Sequence, residues 1–448
     1  MARVKVGTNH AACRPCTTPL SVPSSLTPLP NMNGELFPTS AFVWASTRKD
    51  ALAQLDAFIP AAGRYGRDRN HVFPGHRNVS RLSPAIRHRL ILESECAEAP
   101  LRRYAASTVE KFTQEVYWRR YWKSWLSLRP QVWSDYLDQL AALQNGPHAE
   151  ATLTRAARCE AGESSVAIMN HFARELVETG YLHNHARMWF AGWWIHIERL
   201  PWQLGADFFL RHLLDGDPAS NTLSWRWVAG LQTPGKTYLP RRSNLEKYLP
   251  PEMLEMHHEG LEQLEQPRVL ILPAEERPAI TRPSLPPTPS LGKGRVGIWI
   301  HEEDLLVEQS PLASLKPVAI LATGDAATWT SLRYPKTKTA WLRNALTDAA
   351  NRAGSALGVE AQVQADSTTI EALLHWATEH QLQQIAAMRP EIGPLHDQLR
   401  ELQSALTKVG VELVLFDCPE DLALRPLATG GFLGFWEKMQ KSPFAEDL

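Results

Sequence analysis

A proline-rich stretch divides this chain of 448 residues into two parts with different hydrophobic patterns. Seven prolines stand between Pro267 and Gly294, so no helix can form there and an extended, semi-rigid connector is favoured. Because one hydrophobic core rarely grows beyond roughly 300 residues, we expect a domain on each side. The predicted divisions are a tail (1–40), a helical domain (41–262), a linker (263–294), a second domain (295–441) and a tail (442–448).

The two parts predict different secondary structure. From about Phe42 to Glu259 apolar residues recur every three or four positions, as in Val109, Phe112 and Val116, which indicates helix almost throughout. After the linker, short apolar runs alternate with helical patterns, which is typical of a parallel sheet covered by helices. The predicted strands are 296–300, 318–321, 383–388 and 411–416. We therefore expect an all-α domain followed by a Rossmann-like α/β domain.

Composition excludes some classes of protein. The net charge is −1 and the pI is about 7.0, so nucleic-acid binding would depend on a local basic patch. No apolar run approaches the roughly 18 residues of a membrane helix. Five cysteines, an odd number, favour reduced thiols and a cytoplasmic location. The Cys13-x-x-Cys16 pair has no second Cys/His pair nearby, so no metal site is expected.

The first residues leave the cellular location open. No acidic residue precedes Glu35, and the segment is mildly basic with many Ser and Thr residues, as in organelle-targeting peptides. A disordered tail, or translation beginning at Met32, explains the same pattern.

One segment combines polar residues with many aromatic ones. Ten of the sixteen tryptophans lie between Trp118 and Trp227. Asn184, Arg187 and Met188 share a helix face, and the Asp215-Gly-Asp217-Pro sequence places two carboxylates beside the next helix. Such a set can hold a planar heteroaromatic ligand. Alternatively, Arg187 and Asp215 form a stabilising ion pair and the tryptophans belong to the core.

Four motifs in this half resemble those of the DNA photolyase/cryptochrome family and occur in that family's order. They are Ser-Arg-Leu-Ser-Pro (80–84), Gln-Glu-Val-Tyr-Trp-Arg (114–119), Gly-Tyr-Leu-His-Asn-His-Ala-Arg-Met (180–188) and Leu-Asp-Gly-Asp-Pro-Ala-Ser-Asn-Thr-Leu-Ser-Trp-Arg-Trp (214–227). The resemblance covers residues 65–249 and implies FAD as cofactor. Its diphosphate would be held by Ser80, Leu82 and Ser83, with Tyr65 nearby. Its ring and ribityl groups would be framed by Asn184, Arg187, Asp215 and Asp217, with Asn221 facing flavin N5.

The same resemblance implies residues for photochemistry. Contacts to the pyrimidine-dimer lesion are implied for Glu115, Trp118, Met188 and Trp227. Electron transfer from the surface to the flavin is implied for Trp225 and Trp202; the third tryptophan of that chain is not evident, and we suggest Trp133. Asn184 and Met188 differ from the histidine-rich block of (6-4) photolyases, which favours cyclobutane dimers as the substrate.

The implied function is that of a deoxyribodipyrimidine photo-lyase acting on UV-damaged DNA. The alternative is a cryptochrome-type blue-light photoreceptor that acts on a signalling protein, and a third option is a flavoprotein without photochemistry. Phe112, Val79 and Arg120 depart from the family pattern near the flavin and the lesion, which affects repair more than FAD binding.

The second half resembles the family's antenna domain over residues 294–438, although that domain normally comes first. We therefore predict a circularly permuted order. The sequence has no phosphate-binding glycine motif that would identify a second, antenna chromophore.

Overall fold

The computed structural model describes residues 44–147, 149–233, 236–273, 275, 278–281, 289 and 291–442. The predicted N-terminal tail, with Cys13, Cys16 and Met32, lies outside these ranges, as do the last six residues and much of the proline-rich linker. Within the described ranges no helix has the length and apolarity needed to cross a membrane.

Helices fill the first part of the described chain, which confirms the predicted all-α region. The α-helices are α1 (Arg48–Ala62), α2 (Tyr65–Asp68), α3 (Ser83–Arg87), α4 (Glu93–Glu98), α5 (Ala106–Ser127), α6 (Gln131–Asn145), α7 (Ala149–Glu160), α8 (Ala167–Thr179), α9 (Asn184–His196), α10 (Trp202–His212), α11 (Pro218–Val228), α12 (Arg242–Tyr248) and α13 (Pro251–Met256).

Local sequence explains the helix ends that position the polar segment. Gly180 follows α8 with φ of 70°, and a Cβ there would lie 2.7 Å from the Leu214 side chain, so glycine is required. His183 precedes α9, and its ring accepts a hydrogen bond from the backbone N–H of His185. Asp217 caps α11, and Pro218 occupies the first helical position. These ends bring α9 and α11 to the same side of α5.

The tryptophans of the helical half are mostly core residues. Trp189, Trp193 and Trp194 on α9 are fully buried, and Trp202 and Trp225 are 3% and 2% exposed. They pack in one cluster with the buried face of α5. The alternative interpretation of the tryptophans as core residues is therefore correct for most of them, while Trp118 and Trp227 stay partly exposed.

A parallel sheet forms the second part, as predicted, and it has five strands instead of the four predicted. Its strands are β1 (Val296–His301), β2 (Ala319–Thr323), β3 (Ala361–Gln364), β4 (Gln384–Met388) and β5 (Glu412–Phe416), in the order β3-β2-β1-β4-β5. The helices of this part are α14 (Ala326–Ser331), α15 (Lys336–Leu357), α16 (Thr369–Glu379), α17 (Pro394–Lys408), α18 (Pro419–Leu424) and α19 (Phe432–Gln440). Of these, α18 and α19 pack against α5 of the helical part. The strand order is that of a doubly wound α/β fold.

The two parts pack closely at the carboxyl edge of the sheet. Arg87 at the end of α3 pairs with Glu303, just after β1, and Arg89 pairs with Asp304. A second hydrophobic core contains residues of α1, α3, α4 and the sheet together. Doubly wound sheets usually bind ligands at this edge. Here the helical half covers the end of β1, and both halves lie in one compact unit.

Candidate functional site

A cavity of about 1040 Å³ opens between α2, α3, α5, α9 and α11. Its volume lies at the upper end of the range for sites that bind drug-sized molecules and cofactors. The residues predicted to hold FAD line this cavity: Tyr65, Ser80, Leu82, Ser83, Asn184, Arg187, Asp215, Asp217 and Asn221. The residues predicted to contact a lesion line it too: Glu115, Trp118, Met188 and Trp227.

Arg187 and Asp215 form the ion pair that the sequence suggested. The two guanidinium nitrogens of Arg187 lie 3.2 and 3.1 Å from the carboxylate oxygens of Asp215, which is 4% exposed. Arg119 adds a third hydrogen bond at 3.2 Å. Burial alone would raise the pKa of Asp215, but the two arginines hold it below its ordinary value. Asp215 therefore stays ionised, and it fixes Arg187 at the cavity wall.

Asp217 lies among three cationic groups. Its Oδ1 accepts from the backbone N–H of Ser220 at 2.8 Å, whereas Oδ2 has no hydrogen-bond partner among the described residues. The nearest nitrogens of Arg87, Arg119 and Lys123 lie 3.5 to 3.6 Å from Oδ2. Burial opposes ionisation, yet these cations keep the pKa of Asp217 well below its usual range. Asp217 is 1% exposed as a residue and borders the cavity, and its unsatisfied Oδ2 fits a hydroxyl or N–H donor of a ligand.

The predicted phosphate-side loop borders the same cavity as these acids, and the Ser83 hydroxyl donates a hydrogen bond to Asp215. Ser80 accepts at 3.4 Å from the backbone N–H of Leu82, and Gln54 holds the Ser80 carbonyl at 2.7 Å. Ser83 and Pro84 open α3, as predicted. Burial raises the pKa of Tyr65 well above its usual value, so its hydroxyl stays protonated and can donate a hydrogen bond to an anion.

One N–H of the Asn221 side-chain amide is hydrogen-bonded within the protein. Its Nδ2 donates to the carbonyl of Ala206 on α10 at 2.8 Å. The side chain is 8% exposed and borders the cavity, and among the described residues neither Oδ1 nor the second hydrogen of Nδ2 has a partner. A ligand that donates to Oδ1 or accepts from this N–H would complete the amide.

On the lesion side, Glu115 pairs with Arg69, the residue that follows α2. Burial raises the pKa of Glu115 although Arg69 opposes the shift. Trp118 is half-buried and stacks on Phe432, while Trp227 packs at a tilt against Tyr238 with ring centroids 5.9 Å apart. Hydrogen-bonding and aromatic groups therefore face the same space.

The sequence model for the FAD binding domain of DNA photolyase matches residues 112–248. This part of the chain is therefore similar to the FAD binding domain of DNA photolyase. The two acids, Arg187 and Asn221 all lie within that range. The unsatisfied Oδ2 of Asp217, the free Oδ1 of Asn221 and the size of the cavity fit FAD, which this photolyase-type domain binds.

Curated relatives are similar over the same half. The chain is 29% identical over 195 residues to a deoxyribodipyrimidine photo-lyase of Agrobacterium fabrum, covering 42% of this chain and 39% of the relative. It is 32% identical over 195 residues to that of Thermus thermophilus, covering 42% and 44%. The chain thus spans about two fifths of the length of the curated relatives it matches.

Among solved structures, a bacterial class III photolyase from Agrobacterium tumefaciens is 27% identical with a TM-score of 0.39, over 46% of this chain and 43% of that one.

The tryptophans predicted for electron transfer lie on adjoining elements of the photolyase-type domain. The Trp225 ring abuts Gly205, one helical turn after Trp202 on α10. Trp202 in turn stacks on Tyr136, with ring centroids 5.6 Å apart, and Tyr136 contacts Trp133 at 5.4 Å. The route from Trp202 to Trp133 therefore passes through a tyrosine that the sequence did not single out. The role of Trp225, Trp202 and Trp133 in electron transfer stays a prediction.

Sequence reasoning assigned no role to several residues that border the site. Arg119 is the last residue of the second motif, directly after Trp118, and its charge could have been matched to the two acids. Arg69 lies four positions after Tyr65, which places it one turn further along the chain. No sequence pattern indicated Phe432 as a site residue, because it lies far from the four motifs in the sequence. Arg120, a departure from the family pattern, pairs with Glu93 and Asp421 instead of facing the cavity.

Proposed function

We propose that this protein is a light-driven carbon–carbon lyase that uses reduced FAD to split cyclobutane pyrimidine dimers in DNA. The observation that carries the proposal is one continuous cavity lined by both the flavin-side and the lesion-side residues. Direct electron transfer weakens steeply with distance, so cofactor and substrate have to share such a space. The curated relatives with this domain are deoxyribodipyrimidine photo-lyases, which supports the same reaction.

Bound FAD, in its reduced form, would supply light absorption and an electron that opens the cyclobutane ring and then returns, so the reaction has no net redox change. Arg187 and Arg119 provide positive charge beside the flavin side, held in place by Asp215. Asn221 offers a neutral acceptor that imposes no charge of its own. These residues bind and orient the cofactor.

Glu115 and the aromatic residues act on the substrate. Because burial raises the pKa of Glu115, its carboxyl group is protonated more often than an exposed glutamate at the same pH. It can then donate a hydrogen bond to a pyrimidine carbonyl. Trp118, Trp227 and Met188 offer apolar surface that stacks on the bases and excludes water. The dimer has to be flipped out of the duplex, which costs a few kcal/mol and less for a distorted lesion.

The test is light-dependent repair by purified protein. We expect the protein to copurify with or take up FAD. After reduction, it should convert a thymine-dimer oligonucleotide to intact thymines under blue light and not in the dark, as measured by chromatography. Trp118→Ala should retain FAD but lose most repair.

Other outcomes separate the alternatives. Absence of repair by reduced, FAD-loaded protein would contradict the lyase proposal and favour a cryptochrome-type photoreceptor. Absence of any flavin binding would overturn the site itself.

A further inference from the structure

The last helix of the chain completes the lesion-side wall of the cavity. Residues 429–432, which lead into α19, line the cavity together with Trp118. The rings of Phe432 and Trp118 are stacked with centroids 4.0 Å apart and planes inclined by 11°. This is the shortest ring separation among the described aromatic pairs, and it joins two residues 314 positions apart in the sequence.

Helix α5 and Arg129, two positions after the last residue of this helix, Ser127, hold the segment that carries Phe432. Arg129 donates to the carbonyls of Ala428 at 3.3 Å and Thr429 at 2.9 Å, and the Tyr121 hydroxyl donates to the carbonyl of Gly430 at 2.8 Å. The Arg129 guanidinium also lies over the Trp125 ring, 4.1 Å from its centroid. Trp118 belongs to the same helix, so these bonds set the position of Phe432 relative to the indole.

Among the described residues, three aromatic rings contact Trp118, and the one that stacks on a face of the indole is Phe432. Phe432 is 5% exposed and covers one face of the indole nearly in parallel. Tyr121 meets Trp118 edge-on, with planes at 85°, and Trp122 meets it at 43°. Since Trp118 still borders the cavity, a base can stack only on what these three rings leave uncovered.

We propose that Phe432 is a positioning residue for Trp118: it packs on one face of the indole and holds the ring plane so that the other face receives a pyrimidine of the lesion. This role rests on the proposed function. A preorganised ring loses less freedom when a base stacks on it, and binding is stronger for that reason.

The experiment measures dissociation constants in the dark, at one salt concentration, for FAD-loaded protein and a labelled oligonucleotide with or without one thymine dimer. Phe432→Leu removes the stacked ring and retains apolar bulk, while Phe432→Tyr restores the ring. Phe435→Leu is the matched control, because Phe435 is buried on the same helix, contacts Tyr121 and does not line the cavity. Trp118→Ala tests the predicted lesion contact directly.

We expect Phe432→Leu to weaken binding of the dimer about three- to tenfold and Phe432→Tyr to bind like the parent protein. FAD content and binding of undamaged DNA should not change, and Phe435→Leu should lower only the melting temperature. If Phe432→Leu does not fold with FAD, Phe432→Met is judged by the same criteria.

Two results would overturn the proposal while Trp118→Ala still weakens dimer binding. Unchanged affinity in Phe432→Leu would remove any positioning role, and tighter binding would mean that Phe432 occupies the place of a base. If Trp118→Ala itself leaves dimer binding unchanged, the proposed lesion site is wrong, and this role for Phe432 falls with it.

Discussion

At the scale of single residues, the amide of Asn221 keeps both a donor and an acceptor for a ligand. One hydrogen of its Nδ2 binds the Ala206 carbonyl, which leaves the second N–H and Oδ1 on a side chain that borders the cavity. The acceptor stabilises a protonated nitrogen on a ligand, and the donor stabilises an unprotonated one. This agrees with the sequence-based expectation of an amide that serves either protonation state, which stays a prediction.

We predict that Asn221→Ala binds FAD but keeps it reduced for a shorter time. One hydrogen bond contributes about 0.5–1.5 kcal/mol, so the reduced flavin should reoxidise in air roughly two- to tenfold faster. The measurement is flavin absorbance in the dark after photoreduction. Asn170→Ala is a control, since this equally buried amide bonds to Ser164 and does not line the cavity. Equal reoxidation rates in Asn221→Ala and the parent would contradict the assigned contact.

At the scale of helices, α10 and α11 approach so closely that Gly205 has no space for a side chain. A Cβ at this position would lie 2.3 Å from the Trp225 ring. Alanine is favoured over glycine inside a helix by about 1 kcal/mol, but here the overlap costs about 1–3 kcal/mol. The glycine therefore holds Trp225 one turn from Trp202.

We predict that Gly205→Ala lowers the melting temperature and slows light-driven reduction of bound flavin, because the Trp225 ring has to move. Gly434→Ala on α19 provides the control: a Cβ there meets nothing within 4 Å, so this change should stabilise the protein by about 0.5–1 kcal/mol. Photoreduction at the parent rate in a destabilised Gly205→Ala would show that Trp225 is not part of the electron route.

Most of the helical region and most of the strands could be predicted from the sequence. Strands β1, β2 and β4 carry apolar runs because they are buried on both faces. Strand β5 lies at a sheet edge and is only partly buried, but its sequence still contains an apolar run. Strand β3 was missed, since its sequence Ala-Gln-Val-Gln lies at the sheet edge and has neither a run nor a buried face. The flavin side of the cavity was predicted from contiguous motifs. The contact of Tyr121 with Gly430 spans 309 positions, and no local pattern reports such a pairing.

At the scale of the whole molecule, an ionic chain links the sheet to the flavin side of the cavity. Glu303 follows β1 and binds both terminal nitrogens of Arg87, whose Nε lies 3.6 Å from Asp217. All three side chains are less than a tenth exposed. Burial disfavours the charge on Glu303, yet Arg87 lowers its pKa to about 2. Glu303 therefore contributes to the candidate cofactor site without itself lining the cavity.

We predict that Glu303→Gln destabilises the protein by about 3 kcal/mol and weakens FAD binding, because Arg87 is left buried without its carboxylate and holds Asp217 less firmly. Glu302→Gln is the matched control: its carboxyl group accepts from the Trp329 indole, burial raises its pKa to about 7, and glutamine retains the acceptor.

The pH dependence of stability follows from the lowered pKa of Glu303. Its stabilisation is complete above the ordinary glutamate pKa of about 4.5 and is lost as pH falls toward 2. Denaturant unfolding of the parent and Glu303→Gln should thus differ by a constant amount from pH 6 to 8 and converge below pH 4. Unchanged FAD affinity in a destabilised Glu303→Gln would mean that the chain stabilises the interface alone and does not position Asp217.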